Sequence, residues 1–185
     1  NPRKSKKRIL QSIAKKEIKR LEKDLFALNP DEVIPMVPSL KKKYDGFLQL
    51  FSFVINTGDI NEPSFGDFLL RFCSDKQNND VYALTMKRYP DIKPVEGGLQ
   101  EAFSHYLYYF PKKSVPAIFT CITGFNNSII IGDSVLGIGL DRYLGADCEY
   151  YPRLDIYKYI AARMTPENIV SDCMYGWGAS EWDFS

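Results

Sequence analysis

The sequence predicts an α+β fold in which a small central β-sheet is covered by several short helices. Residues 117–140 contain runs of β-branched residues separated by glycine and asparagine, which is typical of short strands joined by tight turns. The segments on either side carry apolar residues at helical spacing and end at proline, asparagine or glycine. At 185 residues the chain is long enough for one domain with a hydrophobic core.

The central sheet is expected to contain a hairpin. Asn126 and Asn127 tolerate a positive φ, and they lie between two apolar runs, 117–125 and 128–131. Because asparagine pairs of this kind are common in tight turns, we expect these two runs to pair with each other. The hairpin region as a whole is predicted over residues 117–140.

A third strand is expected over residues 135–140. Its two glycines, Gly137 and Gly139, have no side chain, so another backbone or a ligand can come close at these positions. The sheet is therefore expected to be a buried platform that the helices cover.

Helical spacing appears on both sides of this platform. An N-terminal pattern runs over residues 9–28, and a stronger apolar face follows over 44–55. Pro35 and Pro38 lie between them, so residues 33–39 are expected to form an extended connector. Further short helices are expected over 64–72, 79–88, 99–110, 156–163 and 165–177.

Charge is distributed unevenly along the chain. Nine of the 24 Lys and Arg residues lie in the first twenty positions, where Glu17 is the only acid, which leaves 15 basic and 22 acidic residues in the rest. Residues 1–20 are therefore expected to form a basic, flexible tether, and residues 21–185 a single α+β domain. No aromatic residue separates the basic residues of this tether, so nucleic acid is not expected as a partner.

The sequence contains none of the portable catalytic motifs. The patterns G-x-x-x-x-G-K-[ST], G-x-S-x-G and H-E-x-x-H are absent, so no enzyme activity and no cofactor are predicted. The only histidine, His105, could be a general base, but a lone histidine among aromatic residues is more often a packed or surface group. The four cysteines have no C-x-x-C spacing, so no metal site is predicted.

Candidate binding residues lie in the loop that leaves the sheet. They are Asp141, Tyr143, Tyr150, Tyr151 and Arg153. Aromatic faces stack on sugars and peptides, and an arginine fork binds planar acceptors, so this loop could line a shallow binding site. The alternative is that the rings fill the core and that the aspartate pairs locally with a neighbouring arginine.

Several segments of the chain resemble the gliding motility-associated lipoproteins of the GldB type. The resemblance covers residues 21–177, and the combination of LGIGLDRYLGAD with YYP is its most specific part. The segments that carry it are LEKDLFALNPD (21–31), KKKYDGF (41–47), DVYALTMKRYPDI (80–92), LQEAFSHYLYYFPKK (99–113) and ITGFNNSIIIGDSVLGIGLDRYLGADCEYYP (122–152).

This resemblance implies an exported protein of the cell envelope in Bacteroidetes-type cells. The family is anchored through an N-terminal lipidated cysteine, so a lipid anchor is expected upstream of Asn1, with the domain at the outer membrane and facing the periplasm. The basic tether would then lie near the lipid surface. Family members continue further, so this chain is expected to be the N-terminal part of a longer family domain.

The function implied by the resemblance is a non-catalytic one. The domain would support gliding motility or a related surface assembly through contacts with envelope proteins. Two alternatives stay open at this point. One is a degenerate zinc-peptidase-like hydrolase whose site lies in a missing C-terminal part, and the other is a module that binds a glycan or peptide through residues 143–153.

Overall fold

The structure is a computed structural model, and it describes residues 2–182. It confirms the α+β class, with helices packed around a small mixed sheet. The helices are α1 (Pro2–Ala14), α2 (Leu21–Phe26), α3 (Pro30–Val54), α4 (Phe65–Ser74), α5 (Lys76–Arg88), α6 (Lys93–Tyr109), α7 (Tyr150–Arg153), α8 (Lys158–Ala161) and α9 (Ile169–Glu181). The strands are β1 (Lys19–Arg20), β2 (Ala117–Cys121), β3 (Ile129–Gly132) and β4 (Val135–Gly139).

The strand order in the sheet is β1-β2-β4-β3. Strands β1, β2 and β4 run parallel, and β3 is antiparallel to β4 at the edge. The third strand expected over residues 135–140 is confirmed as β4, and it lies between β2 and β3 in the sheet. The carboxyl ends of all three parallel strands therefore lie at the same end of the sheet.

The predicted pairing of residues 117–125 with 128–131 was wrong. Strand β2 pairs with β4, and the hairpin is formed by β3 and β4 around Asp133 and Ser134, where Ser134 has φ 57°. After β2 the chain leaves the sheet because Gly124 and Phe125 both have a positive φ. The Asn126 side chain then donates to the backbone carbonyl of Val54 at 2.8 Å. Residues 122–128 therefore form the loop that connects the end of β2 to the start of β3.

The predicted connector over residues 33–39 was also wrong, because this segment lies inside helix α3. Asn29 and Glu32 form a capping box at the start of the helix, where the backbone N–H of Asn29 donates to the Glu32 carboxylate at 2.7 Å. Val33 and Leu40 are buried on both sides of the two prolines. The free energy gained by burying this apolar face exceeds the free energy lost with the backbone hydrogen bonds that the prolines cannot make.

The single helical pattern predicted over residues 9–28 consists of three elements, α1, β1 and α2. Ile18 is buried between the first two, and its backbone N–H donates to the Glu96 carboxylate of α6 at 3.1 Å. Strand β1 pairs with β2 over Lys19 and Arg20. The segment that was expected to be a tether therefore has secondary structure, and its mobility stays a prediction.

The sheet lies between two hydrophobic cores. Phe119, Cys121 and Ile130 face α3, where the rings of Phe47 and Phe119 stack at 4.5 Å. Successive strand residues point to opposite faces, so the other face packs against α6 and α9. The main residues of that second core are Ile118, Leu136, Ile138, Leu99, Phe103, Cys173 and Trp177.

The glycines of β4 allow the close approach that the sequence predicted. A Cβ atom on Gly137 would overlap the ring of Phe47, and one on Gly139 would overlap the backbone carbonyl of Asn127. The first approach lets α3 pack directly on the sheet, and the second brings the loop after β2 against β4. No ligand is needed to explain either glycine.

Candidate functional site

The five candidate residues lie beyond the carboxyl end of β4. A 3₁₀ turn, Leu140–Arg142, follows this strand directly, and the chain then passes through a loop to α7. In sheets with parallel strands, ligands commonly bind outside the carboxyl ends of the strands. The location of the candidates is therefore a reasonable one for a site, and the contacts of each side chain show how it is used.

Asp141 is completely buried, and its carboxylate holds the loop after β2. It accepts the backbone N–H groups of Thr123 at 3.1 Å and of Phe125 at 2.6 Å, and also the hydroxyl of Thr123 at 3.3 Å. Burial raises the pKa of Asp141 to about 6, although these hydrogen bonds lower it. The carboxylate therefore connects the ends of β2 and β4.

The expected ion pair between Asp141 and a neighbouring arginine does not form. Arg142 donates to the backbone carbonyl of Phe125 at 3.2 Å, and Arg153 forms an exposed ion pair with Glu149 at 2.7 Å. The reason is that the loop after β2 turns its N–H groups toward the buried carboxylate. Those N–H groups satisfy the negative charge without a cation.

Tyr143 is buried in the second core. Its hydroxyl donates to the Asp172 carboxylate of α9 at 2.8 Å, and its backbone carbonyl accepts the hydroxyl of Tyr89. Burial and the hydrogen bond to Asp172 raise the pKa of Tyr143 well above its ordinary value. The ring thus joins the loop to α9 and to the end of α5, and it presents no face to solvent.

Tyr151 is also fully buried, and its hydroxyl bridges two backbone groups of the loop. It donates to the carbonyl of Asp141 at 3.0 Å and accepts the N–H of Leu144 at 2.9 Å. Burial raises the pKa of Tyr151 above its ordinary value. For Tyr143 and Tyr151 the structure therefore shows the core-filling alternative.

Tyr150 and Arg153 are the two candidates that reach the surface. The ring of Tyr150 stacks on Phe125, with centroids 5.7 Å apart and an interplanar angle of 28°. The guanidinium of Arg153 lies 5.4 Å from the centre of the same ring. Tyr150 and Arg153 therefore lie together at the surface, whereas Asp141, Tyr143 and Tyr151 are buried. A glycan or peptide at the outer pair stays a prediction.

A groove that sequence reasoning missed lies beside this loop. It has a volume of about 610 Å³ and is lined by residues 144–149, by Lys87 and Arg88 of α5, and by Thr165 and Glu167. Its lining contains both cations and carboxylates. Its thiol, Cys148, has a pKa raised by burial, so it is a poor nucleophile at neutral pH. The only sequence signal for this groove was the basic pair at the end of a predicted helix.

Among residues 2–182, no group of three His, Cys, Asp or Glu side chains lies close enough to hold a metal ion. His105 is exposed on α6, where it lines a different groove with Tyr108 and Tyr109. All four cysteines are free thiols.

A comparison with protein families matches residues 3–185 to the family described as gliding motility protein GldB. The chain belongs to the GldB family. This confirms the resemblance seen in the sequence. Searches among curated proteins and among solved structures gave no match.

The most specific GldB-type segment, LGIGLDRYLGAD, occupies residues 136–147. These residues form most of β4, the 3₁₀ turn and the start of the loop, so the GldB resemblance coincides with the buried centre of the fold. Within the described part of this GldB-family chain, no helix is long and apolar enough to cross a membrane.

Proposed function

We propose that this GldB-family chain is a non-catalytic domain of the cell envelope. It would be held by a lipid anchor at the outer membrane, face the periplasm, and support gliding motility or a related surface assembly by contacting other envelope proteins. Membership of a family of gliding motility lipoproteins supports the envelope role. The contacts of Asp141, Tyr143 and Tyr151 support the absence of catalysis, because these polar groups are used to hold the fold.

The observation that carries the proposal is an exposed aromatic surface around α8. Tyr157 and Tyr159 are 68% and 74% exposed, and their rings stack with centroids 5.8 Å apart at 11°. Leu154 and Ile160 in the same segment are also exposed. Clustered exposed apolar groups mark protein–protein contacts, and tyrosine is enriched in such contacts. We name residues 154–160 the aromatic surface.

The aromatic surface rests on well-packed residues. Tyr151 precedes it, and Ala161 and Met164 follow it in one buried cluster with Val81 and Ile122. Backbone hydrogen bonds from Ala161 and Ile160 to the carbonyl of Tyr157 fix the turn between the two rings. Because the segment is ordered before binding, a partner would lose less conformational entropy when it docks.

The test uses cells that lack the gene and are given it back as the full-length protein. The double substitution Tyr157→Ser and Tyr159→Ser is expected to abolish restoration of colony spreading while protein abundance stays unchanged. Tyr175→Ser is the matched control, because Tyr175 is 81% exposed but lies on α9. Unimpaired spreading of the double variant, or peptide hydrolysis by the purified protein, would contradict the proposal.

A further inference from the structure

Helix α1 has an exposed face that carries apolar side chains. Lys6, Ile9 and Ile13 are three and four positions apart, so they lie along one side of the helix. Ile9 is 57% and Ile13 54% exposed, whereas Ala14 is buried against the protein. The helix thus packs on the domain through one side and presents two isoleucines on another.

Helix α1 lies antiparallel along α6. The side chain of Gln100 donates to the backbone carbonyl of Gln11 at 2.9 Å, and the ammonium of Lys6 lies 4.8 Å above the ring of Tyr108. These contacts place the start of α1 beside the end of α6. At this end of α6, Tyr108 and Tyr109 are 53% and 70% exposed.

The same place is strongly basic. Arg3, Lys6 and Lys7 line a groove of about 340 Å³ together with the two tyrosines. The first twenty residues carry nine Lys and Arg against one acid, whereas the rest of the chain carries 15 against 22. The positive charge is thus concentrated on α1 and its continuation, and the remainder of the domain is net negative.

We propose that this basic apolar face, made of the exposed side of α1 with Tyr108 and Tyr109, binds the surface of a bilayer that contains anionic phospholipids. A helix with cations flanking a few aliphatic side chains lies in the membrane interface, and interfacial tyrosines add to this binding. Each cation near such a surface strengthens binding through the negative surface potential. The acidic remainder would be repelled, so the domain would bind in one orientation.

A nucleic acid is the other polyanion that fits the charge. The two exposed isoleucines favour the lipid surface, because a phosphate backbone offers them no apolar environment. The inference is independent of the aromatic surface, which lies on other elements and has a different partner. Either one can fail without the other.

The test is co-sedimentation of the 185-residue chain, produced without acylation, with vesicles. Binding is expected to vesicles of equal parts phosphatidylglycerol and phosphatidylcholine, and not to pure phosphatidylcholine. Lys6→Gln with Lys7→Gln is expected to weaken binding about 25-fold, since each removed cation costs about fivefold. Ile9→Ser with Ile13→Ser is expected to weaken it about tenfold.

The matched control is Lys41→Gln with Lys42→Gln, which removes the same charge from α3, the helix of the other hydrophobic core. This variant is expected to bind within about twofold of the original chain. Equal binding to both kinds of vesicle, or an equal loss in the α3 variant, would overturn the proposal. Tighter binding to duplex DNA than to the anionic vesicles would also overturn it and assign the face to nucleic acid.

Discussion

The carboxylate of Asp141 accepts the backbone N–H of Phe125 at 2.6 Å, so that two loops sixteen residues apart in the sequence are joined at the edge of the sheet. Phe125 has a φ of 64° and therefore turns its N–H inward, where solvent cannot compete for it. Asp141, which the sequence suggested as a binding residue, therefore joins the segment after β4 to the segment after β2.

The first prediction concerns the pH dependence that Asp141 confers. In the folded protein its pKa is raised to about 6 by burial, whereas the ordinary value is 3.8. Between these values the folded state binds more protons than the unfolded state, so the free energy of unfolding falls as the pH rises through this window. The fall is expected to be about 3 kcal/mol from this one group.

Asp141→Asn removes this titration, and urea unfolding between pH 4 and pH 7 measures the difference from the original chain. The free energy of unfolding of the original chain, relative to that of Asp141→Asn, is expected to fall as the pH rises from 4 to 7. Glu22 is buried too, and burial raises its pKa in the same direction, so it contributes equally to both chains. Asp133→Asn is the exposed control, and parallel curves for Asp141→Asn and the original chain would refute the prediction.

The second prediction separates the two adjacent tyrosines of α7. Tyr151→Phe leaves the N–H of Leu144 and the carbonyl of Asp141 without their bridging hydroxyl, so the free energy of unfolding is expected to fall by about 1–3 kcal/mol. Tyr150→Phe keeps the stacking on Phe125, and a change within about 0.5 kcal/mol is expected. Denaturant midpoints measure both variants. Equal losses would show that the hydroxyl bridge of Tyr151 does not stabilise the fold by the expected amount.

The third prediction concerns the glycines. Gly139→Ala would push a methyl group into the backbone carbonyl of Asn127, which cannot move without losing the hydrogen bond from Gly139 to Ser128 at 2.8 Å. A loss of about 3 kcal/mol in the free energy of unfolding is expected. Gly97→Ala is the control, because Gly97 lies inside α6 with open space around it, and a gain of up to about 1 kcal/mol is expected there. Thermal unfolding compares the two, and a tolerated Gly139→Ala would mean that the loop is not held against β4.

Some elements could be recognised from local pattern and others could not. Strand β4 was recognisable because its glycines and β-branched residues occur in a short run between turns. The pairing of β2 was not, because strands of four or five apolar residues can pair with one another in several orders. The conformation at Gly124 and Phe125 and the buried carboxylate of Asp141 select one order, and both are tertiary features.

The candidate site shows the same division. The sequence placed Asp141, Tyr143 and Tyr151 correctly beside the end of a strand, since order along the chain determines that much. It did not show which way the side chains point. Whether a tyrosine faces solvent or lies against Asp172, as Tyr143 does, depends on α9, which lies 26 or more residues further along the chain.

Local periodicity and turn residues determined, from the sequence alone, the α+β class and the place of the sheet, because these depend on neighbours a few positions apart. Membership of the GldB family followed from the similarity of whole segments of the chain to that family. The tertiary structure alone decided the strand order, the helix that continues through Pro35 and Pro38, and the burial of three of the five candidate residues. The physical reason is that each of these depends on the free energy gained when groups from distant segments are buried together. A local sequence pattern contains no information about those distant contacts.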